Sequence, residues 1–481
     1  MIVLKFGGTS VGSLERVREA AALAAAQPAP RAVVVSAASG VTNLLLEAGR
    51  QAASGDRGGM SVTVAAIVEK HQAMLEGLPN GPDRTDTSNR IEDLHTALEL
   101  NLADVAVAGD FSTRLSDRIV ATGEKVMSLL MAATLRSTGY PAEAVFADRV
   151  IGTDSRFGSA RPDRDRTREQ ADAIVRPILD EGKTVVMTGF IGGAPDGSTT
   201  TLGRGGSDYS ATLLGAALHA DEVQIWTDVP GVLSADPRLV PDAREVPQLG
   251  FEEAQELAHF GAKVLHPRTI RPAVALDIPV RILSTFAPHE PGTRVTRESS
   301  SDELKAVTIM KDLILLTVDV PELEDLSGAA SAVFGALYED RTEVVLAAQA
   351  SSRRRMTYLI EGANYGGCNR VSSRLEEVLC DYEVEIGCTE DVAVLAAVGQ
   401  GAADQTRALS RMLGVLQREG VPVLASNQQV SNVAMVAAIP QRFADRGLLA
   451  IHDEFIGSRP SGTKLRRQRR SRLMSEAVQV G

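Results

Sequence analysis

The sequence predicts an α/β fold with a mainly parallel sheet sandwiched by helices, followed by two small α+β modules. Three observations carry that reading. Strand-like apolar runs alternate with helical patterns through about the first 285 residues. The chain opens on a strand that ends in a lysine and two glycines before a helix. Its last third contains an internal repeat. With 481 residues the chain exceeds the usual single-domain size, so two or three domains are expected.

The first strand, Ile2–Leu4, runs through Lys5 into Gly7-Gly8, after which Leu14, Val17, Ala20 and Ala21 fall on one face of an amphipathic helix. A cation at a strand end, beside backbone without side chains and facing a helix start, suits phosphate. Exposed N–H groups and the helix dipole both favour negative charge. Arg31–Ser36 is the second strand, and Ser36-Ala-Ala-Ser-Gly-Val-Thr42 repeats that geometry as it opens a helix. Helical patterns near Val62–Leu75, Lys125–Ser137, Arg166–Glu181 and Ser210–Leu218 then alternate with strands at Thr184–Thr188, Glu222–Trp226 and Val280–Leu283. Residues 78–90, rich in Gly, Pro, Asn and Asp, are expected as a surface loop, and Pro288–Asp302 as a polar linker.

Beyond that linker, Leu313–Val320 and Val392–Gly399 are matching strands offset by 79 residues. Gly335-Ala-Leu337 and Gly414-Val-Leu416 share the offset, and Val345-Leu-Ala347 matches Val423-Leu-Ala425 at an offset of 78. Each unit reads β–α–β–β. Two copies are too few for a solenoid and point to a paired sensory or dimerising module. The expected organisation is a large domain over 1–295, modules over 303–390 and 391–457, and a basic tail over 458–481. That tail sets seven basic residues against one acid, Glu476, and reads as a solvated, disordered end.

Composition narrows the function. A net charge of −12 and an aromatic content of 4% argue against a nucleic-acid partner, so any nucleotide site has to be made locally by a few cations. Neither a signal peptide nor an 18-residue apolar run is visible, so no membrane association and a cytoplasmic setting are expected. Cys368, Cys380 and Cys388 form no CxxC pair and read as three reduced thiols. The histidines show no metal spacing, and no protein metal site is expected. The P-loop, the protein-kinase signatures and the GxSxG elbow are missing.

Four clusters remain for chemistry. In Thr199-Thr-Thr-Leu-Gly-Arg-Gly-Gly-Ser-Asp208, three glycines surround Arg204, which is well placed to clamp a carboxylate bidentately. Asp208 could organise lysines, a metal or a substrate amine. Thr227-Asp-Val-Pro-Gly-Val-Leu-Ser-Ala-Asp-Pro-Arg238 follows a strand's carboxyl end, where open α/β sheets bind ligands. Its Asp228, Asp236 and Arg238 could contact a nucleotide's sugar and phosphates. Gly261-Ala-Lys-Val-Leu-His-Pro267 adds Lys263, with His266 read as structural. Glu124, in Thr122-Gly-Glu124, precedes an apolar helix and could equally be an ordinary first-turn acid.

Taken in order, Lys5-Phe-Gly-Gly-Thr-Ser-Val11, Thr122-Gly-Glu124, Gly203-Arg-Gly-Gly-Ser-Asp208, Thr227-Asp228 with Asp236-Pro-Arg238, and Gly261–Pro267 resemble aspartate kinase. The doubled units resemble that family's paired ACT regulatory domains, so the resemblance covers all but the basic tail. It implies the amino-acid-kinase fold and phosphorylation of L-aspartate by Mg²⁺·ATP to 4-phospho-L-aspartate, the first step of aspartate-family amino-acid biosynthesis. By the motif matches, Lys5 would neutralise the transferring phosphoryl group and Gly7–Gly8 would hold phosphates. Arg204 would grip the substrate α-carboxylate and Glu124 its α-amino group, while Asp208 organises the centre. Ser36 and Thr42 would line the substrate or phosphate path. Thr227, Asp228, Asp236, Arg238 and Lys263 would hold ATP. Pro230 departs from the family, which often has an acid there. The resemblance also implies a homo-oligomer with an amino-acid effector, lysine and/or threonine, at the ACT-like modules. Two other readings compete: a kinase of the same fold acting on glutamate, acetylglutamate, carbamate or a nucleoside monophosphate, and a non-catalytic amino-acid sensor.

Overall fold

Alternation along the first strand decides what the sheet presents to each side. In a computed structural model of the chain, residues 1–262, 267–298, 303–321, 325–350, 354–362, 365–400, 405–428 and 433–457 are described. Lys263, His266, Ser351–Arg353, residues 429–432 and the basic tail lie outside them. The chain divides into two compact units, Met1–Val232 with Glu245–Ser301, and Leu233–Arg244 with Asp302–Gly481.

In chain order the first unit comprises β1 (Ile2–Phe6), α1 (Leu14–Ala25), β2 (Arg31–Val35), α2 (Val41–Ser54), α3 (Arg57–Glu76), α4 (Pro82–Ala108), α5 (Thr113–Ser137) and β3 (Ala142–Val145). It continues with α6 (Arg164–Gln170), α7 (Arg176–Asp180), β4 (Thr184–Thr188), β5 (Ile191–Gly193), β6 (Thr199–Thr201), α8 (Gly206–Ala217), β7 (Glu222–Thr227), β8 (Gln248–Gly250), α9 (Phe251–His259), α10 (Pro267–Ala275), β9 (Val280–Ser284) and β10 (Thr293–Thr296). Eight strands form one sheet in the order β3-β4-β2-β1-β7-β9-β10-β8. Every neighbouring pair is parallel except β9–β10. Strand β1 is flanked by β2 and β7, with Phe6 level with both Val35 and Trp226. The chain thus leaves β1 to one side and later returns to its other side, the switch point at which open sheets form a crevice at their carboxyl ends.

Leu4 and Phe6 pack into a core built with α1 to α5. Val3 and Lys5 face the other way, toward α8, because successive strand side chains alternate. Three expectations are corrected here. Residues 82–90 are helical, because Pro82 at the first helical position, after Gly81, starts α4 rather than prolonging a loop. Within Pro288–Asp302, Thr293–Thr296 is a strand paired to β9 and β8 rather than free linker. Glu124 lies in the middle of α5, so it is not a first-turn acid.

The second unit comprises β11 (Ala306–Asp319), α11 (Leu326–Glu339), β12 (Val344–Ala350), β13 (Arg355–Glu361), α12 (Cys368–Val378), β14 (Glu385–Val398), α13 (Gln405–Arg418), β15 (Ala425–Gln428), β16 (Ala434–Pro440) and α14 (Ala444–Phe455). The repeat is a β–α–β–β–α unit. β14, α13 and β16 each start and end 79 residues after β11, α11 and β13. All six strands join one antiparallel sheet, β12-β13-β11-β14-β16-β15. β11 and β14 pair with each other along nearly their whole length, which joins the two ACT-type modules edge to edge in one sheet. α11 and α12 cover one core, α13 and α14 the other. The segment Leu233–Arg244 belongs to the second core: Ala235 and Val240 pack with Met412, Leu416 and Ile451, and Ser234 Oγ lies 2.9 Å from Nε2 of the buried His452. The expectation of three reduced thiols is corrected for two of them. Cys368 at the start of α12 and Cys388 in β14 form a disulfide with Cα atoms 5.8 Å apart, leaving Cys380 free and exposed. Packing of α12 on β14 brings the pair together, which a 20-residue spacing does not reveal.

Candidate active site

The carboxyl ends of β2 and β1 and the start of α8 open into a cavity of about 650 Å³. Lys5, Gly8, Ser36, Thr42, Glu124, Arg204 and Asp208 all line it, so seven of the residues singled out from sequence converge there. Lys5 reaches it because it shares the α8-facing side of β1 with Val3. Its Nζ lies 2.6 Å from Asp208 Oδ1 in the first turn of α8, with side chains only 11% and 17% exposed. A cation so paired keeps its place at the strand end, and the pair is neutral until an anion arrives.

Glu124 is set by close packing. A β-carbon on Gly123 would lie 2.8 Å from Ala37 Cβ, so only glycine lets α5 approach the loop after β2 so nearly. That approach puts Glu124 Oε1 3.2 Å from the Ala37 N–H, which it accepts. Glu124 is 3% exposed, and its Oε2 has no hydrogen-bond partner among the described residues. Burial pushes this carboxyl up to about 8, against the lowering effects of the Ala37 N–H and of its own backbone N–H. A buried acceptor without a donor, on the cavity wall, is a place for a ligand's ammonium group.

Arg204 sits between Gly203 and Gly205, both at positive φ (78° and 69°), in the tight turn leading into α8. It is exposed and makes no ion pair among the described residues, so the guanidinium is available to an incoming carboxylate. The cavity therefore presents a free guanidinium and an orphan carboxylate oxygen, with a lysine at the strand end. That donor set fits a free amino acid beside a phosphoryl group. No three His, Cys, Asp or Glu side chains converge as a metal cage among the described residues.

Other expected residues are placed differently. Gly7 does not line the cavity, because its N–H donates to Trp226 O at 3.2 Å, so Gly8 is the member of the pair that reaches it. Thr227 and Asp228 follow β7, where the Thr227 hydroxyl donates to Asp228 at 3.1 Å. Asp236 and Arg238 lie in the second unit, where the guanidinium donates to both Asp236 oxygens. Lys263 is outside the described residues.

Several cavity residues escaped the sequence reading. Ser39 and Ser207 lie inside quoted segments without having been singled out, and Asn43 adjoins one. Phe190 had no signal; it is held at φ 69° with its N–H donating to Ser210 Oγ. Behind the cavity lining, Asp117 on α5 is 2% exposed and accepts three hydrogen bonds, from Gly158 and from both donors of Thr201. Burial raises its carboxyl, opposed by those three bonds.

Residues 1–284 match the amino acid kinase family. The chain is 34% identical over 458 residues to lysine-sensitive aspartokinase 3 of Escherichia coli (strain K12), covering 94% of this chain and 98% of that one. It is similar to the crystal structure of E. coli aspartokinase III in complex with aspartate and ADP (R-state), with a TM-score of 0.81 and 33% identity over 94% of this chain and 99% of that one. Against the same enzyme in complex with lysine and aspartate (T-state) the TM-score is 0.77, at 32% identity, covering 95% and 99%. No helix among the described residues is long and apolar enough to cross a membrane.

Proposed function

As this chain belongs to the amino acid kinase family, and within it to the aspartokinases, we propose that it moves the terminal phosphoryl group of Mg²⁺·ATP to the side-chain carboxylate of L-aspartate, releasing ADP and 4-phospho-L-aspartate. The observation that carries the reading is the pairing of Arg204, which makes no ion pair among the described residues, with buried Glu124 in the cavity that holds Lys5. Those two groups complement the α-carboxylate and α-ammonium of one amino acid and leave its side chain for Lys5.

The attacking carboxylate is already ionised at neutral pH, so no strong general base is needed and catalysis reduces to positioning and charge stabilisation. Arg204 and Glu124 orient the substrate, with Ser36 and Thr42 lining its path. Lys5, kept in place by Asp208, meets the charge growing on the transferring group, and Gly8 lets phosphates approach the backbone. Mg²⁺, when bound with the nucleotide, neutralises phosphate oxygens. Thr227, Asp228, Asp236, Arg238 and Lys263 are assigned to ATP, an assignment supported for Thr227 and Asp228 by their place at the carboxyl end of β7.

The same proposal gives the product to aspartate-family amino-acid biosynthesis in the cytoplasm. Lysine and/or threonine is the effector at the ACT-type modules, supported by the lysine-bound relative. A homo-oligomer would form through the edge strands β12 and β15 of the second sheet. The test is Mg²⁺·ATP-dependent acyl-phosphate formation, trapped with hydroxylamine, across aspartate, glutamate and acetylglutamate, with and without lysine and threonine. Turnover confined to aspartate is expected. No turnover by folded protein that still binds ATP would leave an amino-acid sensor instead.

A further inference from the structure

We propose that Asp117 is a positioning residue for substrate-carboxylate capture, holding the loop that carries Arg204. The proposal rests on the reading that Arg204 grips the substrate α-carboxylate.

Asp117 and Glu124 stand two turns apart on one face of α5. Glu124 ties this helix to the loop after β2, and Asp117 ties it to the end of β6, from which the chain runs into the Arg204 loop. Asp117 Oδ2 accepts the N–H of Thr201 at 2.8 Å and that of Gly158 at 2.9 Å, while Oδ1 accepts the Thr201 hydroxyl at 2.7 Å. The Thr201 carbonyl in turn accepts the Ala160 N–H at 2.8 Å. The last residue of β6, three before Arg204, is therefore held through its N–H, its carbonyl and its hydroxyl. Gly203 leans on the same support, since a β-carbon there would lie 3.2 Å from Ser159 Oγ. Asp117 thus binds two segments, the turn at Gly158 and the end of β6, into one platform.

A neutral side chain would be cheaper to bury at this 2% exposed position. Three converging donors make the case for a carboxylate, whose two oxygens can accept them all. The neighbouring threonines are tied elsewhere, Thr200 to Thr153 and Thr199 to Asp148. Of the three ties, the one at Asp117 is nearest in sequence to Arg204.

A kinetic double-mutant cycle tests this, using Asp117→Ala, Thr201→Val, Arg204→Ala and the Asp117→Ala/Arg204→Ala pair in the full chain. The readouts are KM for aspartate, KM for ATP, kcat and the thermal midpoint. Asp117→Ala and Thr201→Val should each raise the aspartate KM roughly tenfold or more, as for a lost hydrogen bond to a charged group, while leaving the ATP KM within about threefold. The double variant should be no worse for aspartate than Arg204→Ala alone, because residues acting through one another are not additive. Asp117→Asn keeps an acceptor for both N–H groups and should recover much of the loss. Additive losses, or equal losses for aspartate and ATP, would overturn the positioning role. If Asp117→Ala fails to fold, Thr201→Val with a native aspartate KM overturns it as well. A native aspartate KM in Arg204→Ala would instead overturn the Arg204 assignment, and this proposal with it.

Discussion

Glu124 should make aspartate binding depend on pH. Its carboxyl is pushed up to about 8 by burial, so near neutrality it holds a proton that a bound α-ammonium must displace. Each pH unit below that value costs about 1.4 kcal/mol, or a factor of ten. At saturating Mg²⁺·ATP the aspartate KM should therefore fall about tenfold from pH 6 to pH 7 and level off above about pH 8. Glu124→Gln removes the titration. Its KM should be flat over this range and, at pH 8.5, roughly tenfold or more above native for want of a charge-assisted bond. Stability gives an independent check. Between the ordinary value of 4.5 and about 8 the folded chain holds a proton that the unfolded chain has lost. Stability then falls as pH rises through that window, by about 1.4 kcal/mol per unit, and is level outside it. Urea unfolding of native and Glu124→Gln protein at pH 5, 6, 7 and 8, beside a coupled ADP-release assay, measures both effects. A native KM that is flat from pH 6 to 8, or the same slope in Glu124→Gln, would show that Glu124 does not set the pH dependence.

Truncating Arg204 to alanine leaves a substrate carboxylate unpaired at a cost of about 2–5 kcal/mol, so kcat/KM for aspartate should drop at least roughly thirtyfold. Near-native turnover would remove Arg204 from substrate binding. Lys5→Met should lower kcat by about 10²–10³ while sparing the aspartate KM, because the lysine acts on charge that develops in the transition state. An equal effect on KM alone would move Lys5 to ground-state binding. Gly123→Ala would place a methyl group 2.8 Å from Ala37 Cβ and 3.2 Å from Val41 Cγ1. Overpacking there should cost about 1–3 kcal/mol in a thermal melt and raise the aspartate KM as Glu124 moves off Ala37; no change in either would show that the helix has room to spare.

The parallel sheet was legible because buried strands such as Val33–Val35 and Val185–Met187 are continuous apolar runs that cannot stay in water. The repeat was legible too, since β14 and α13 follow β11 and α11 at the offset of 79 that the matching segments carry. Reading failed where one composition serves two structures. The Gly-Pro-Asn-Asp stretch at 78–90 was expected to be a loop, yet from Pro82 on it is the start of α4, and only 78–81 stay non-helical. The Cys368–Cys388 disulfide was misread because only the fold sets Cα separation. Asp117 gave no signal, because a buried carboxylate on an amphipathic helix looks like any surface acid until its three donors are known.

By itself the sequence determined the chemistry at hand: a lysine at a strand end, an arginine among glycines and an acid after Gly123, each within a local pattern that backbone geometry makes meaningful. Local chain geometry acts over a few residues, so those patterns survive without knowledge of the fold. Tertiary structure decided which of them meet. Lys5 joins Asp208 across 203 residues because β1 and α8 pack face to face. Glu124 meets the loop after β2 because Gly123 lets α5 approach it. Asp236 and Arg238 belong to a segment whose apolar residues Ala235 and Val240 are buried in the second unit. Burial of apolar surface takes a chain wherever a core has room for it, and neighbours along the sequence need not share one.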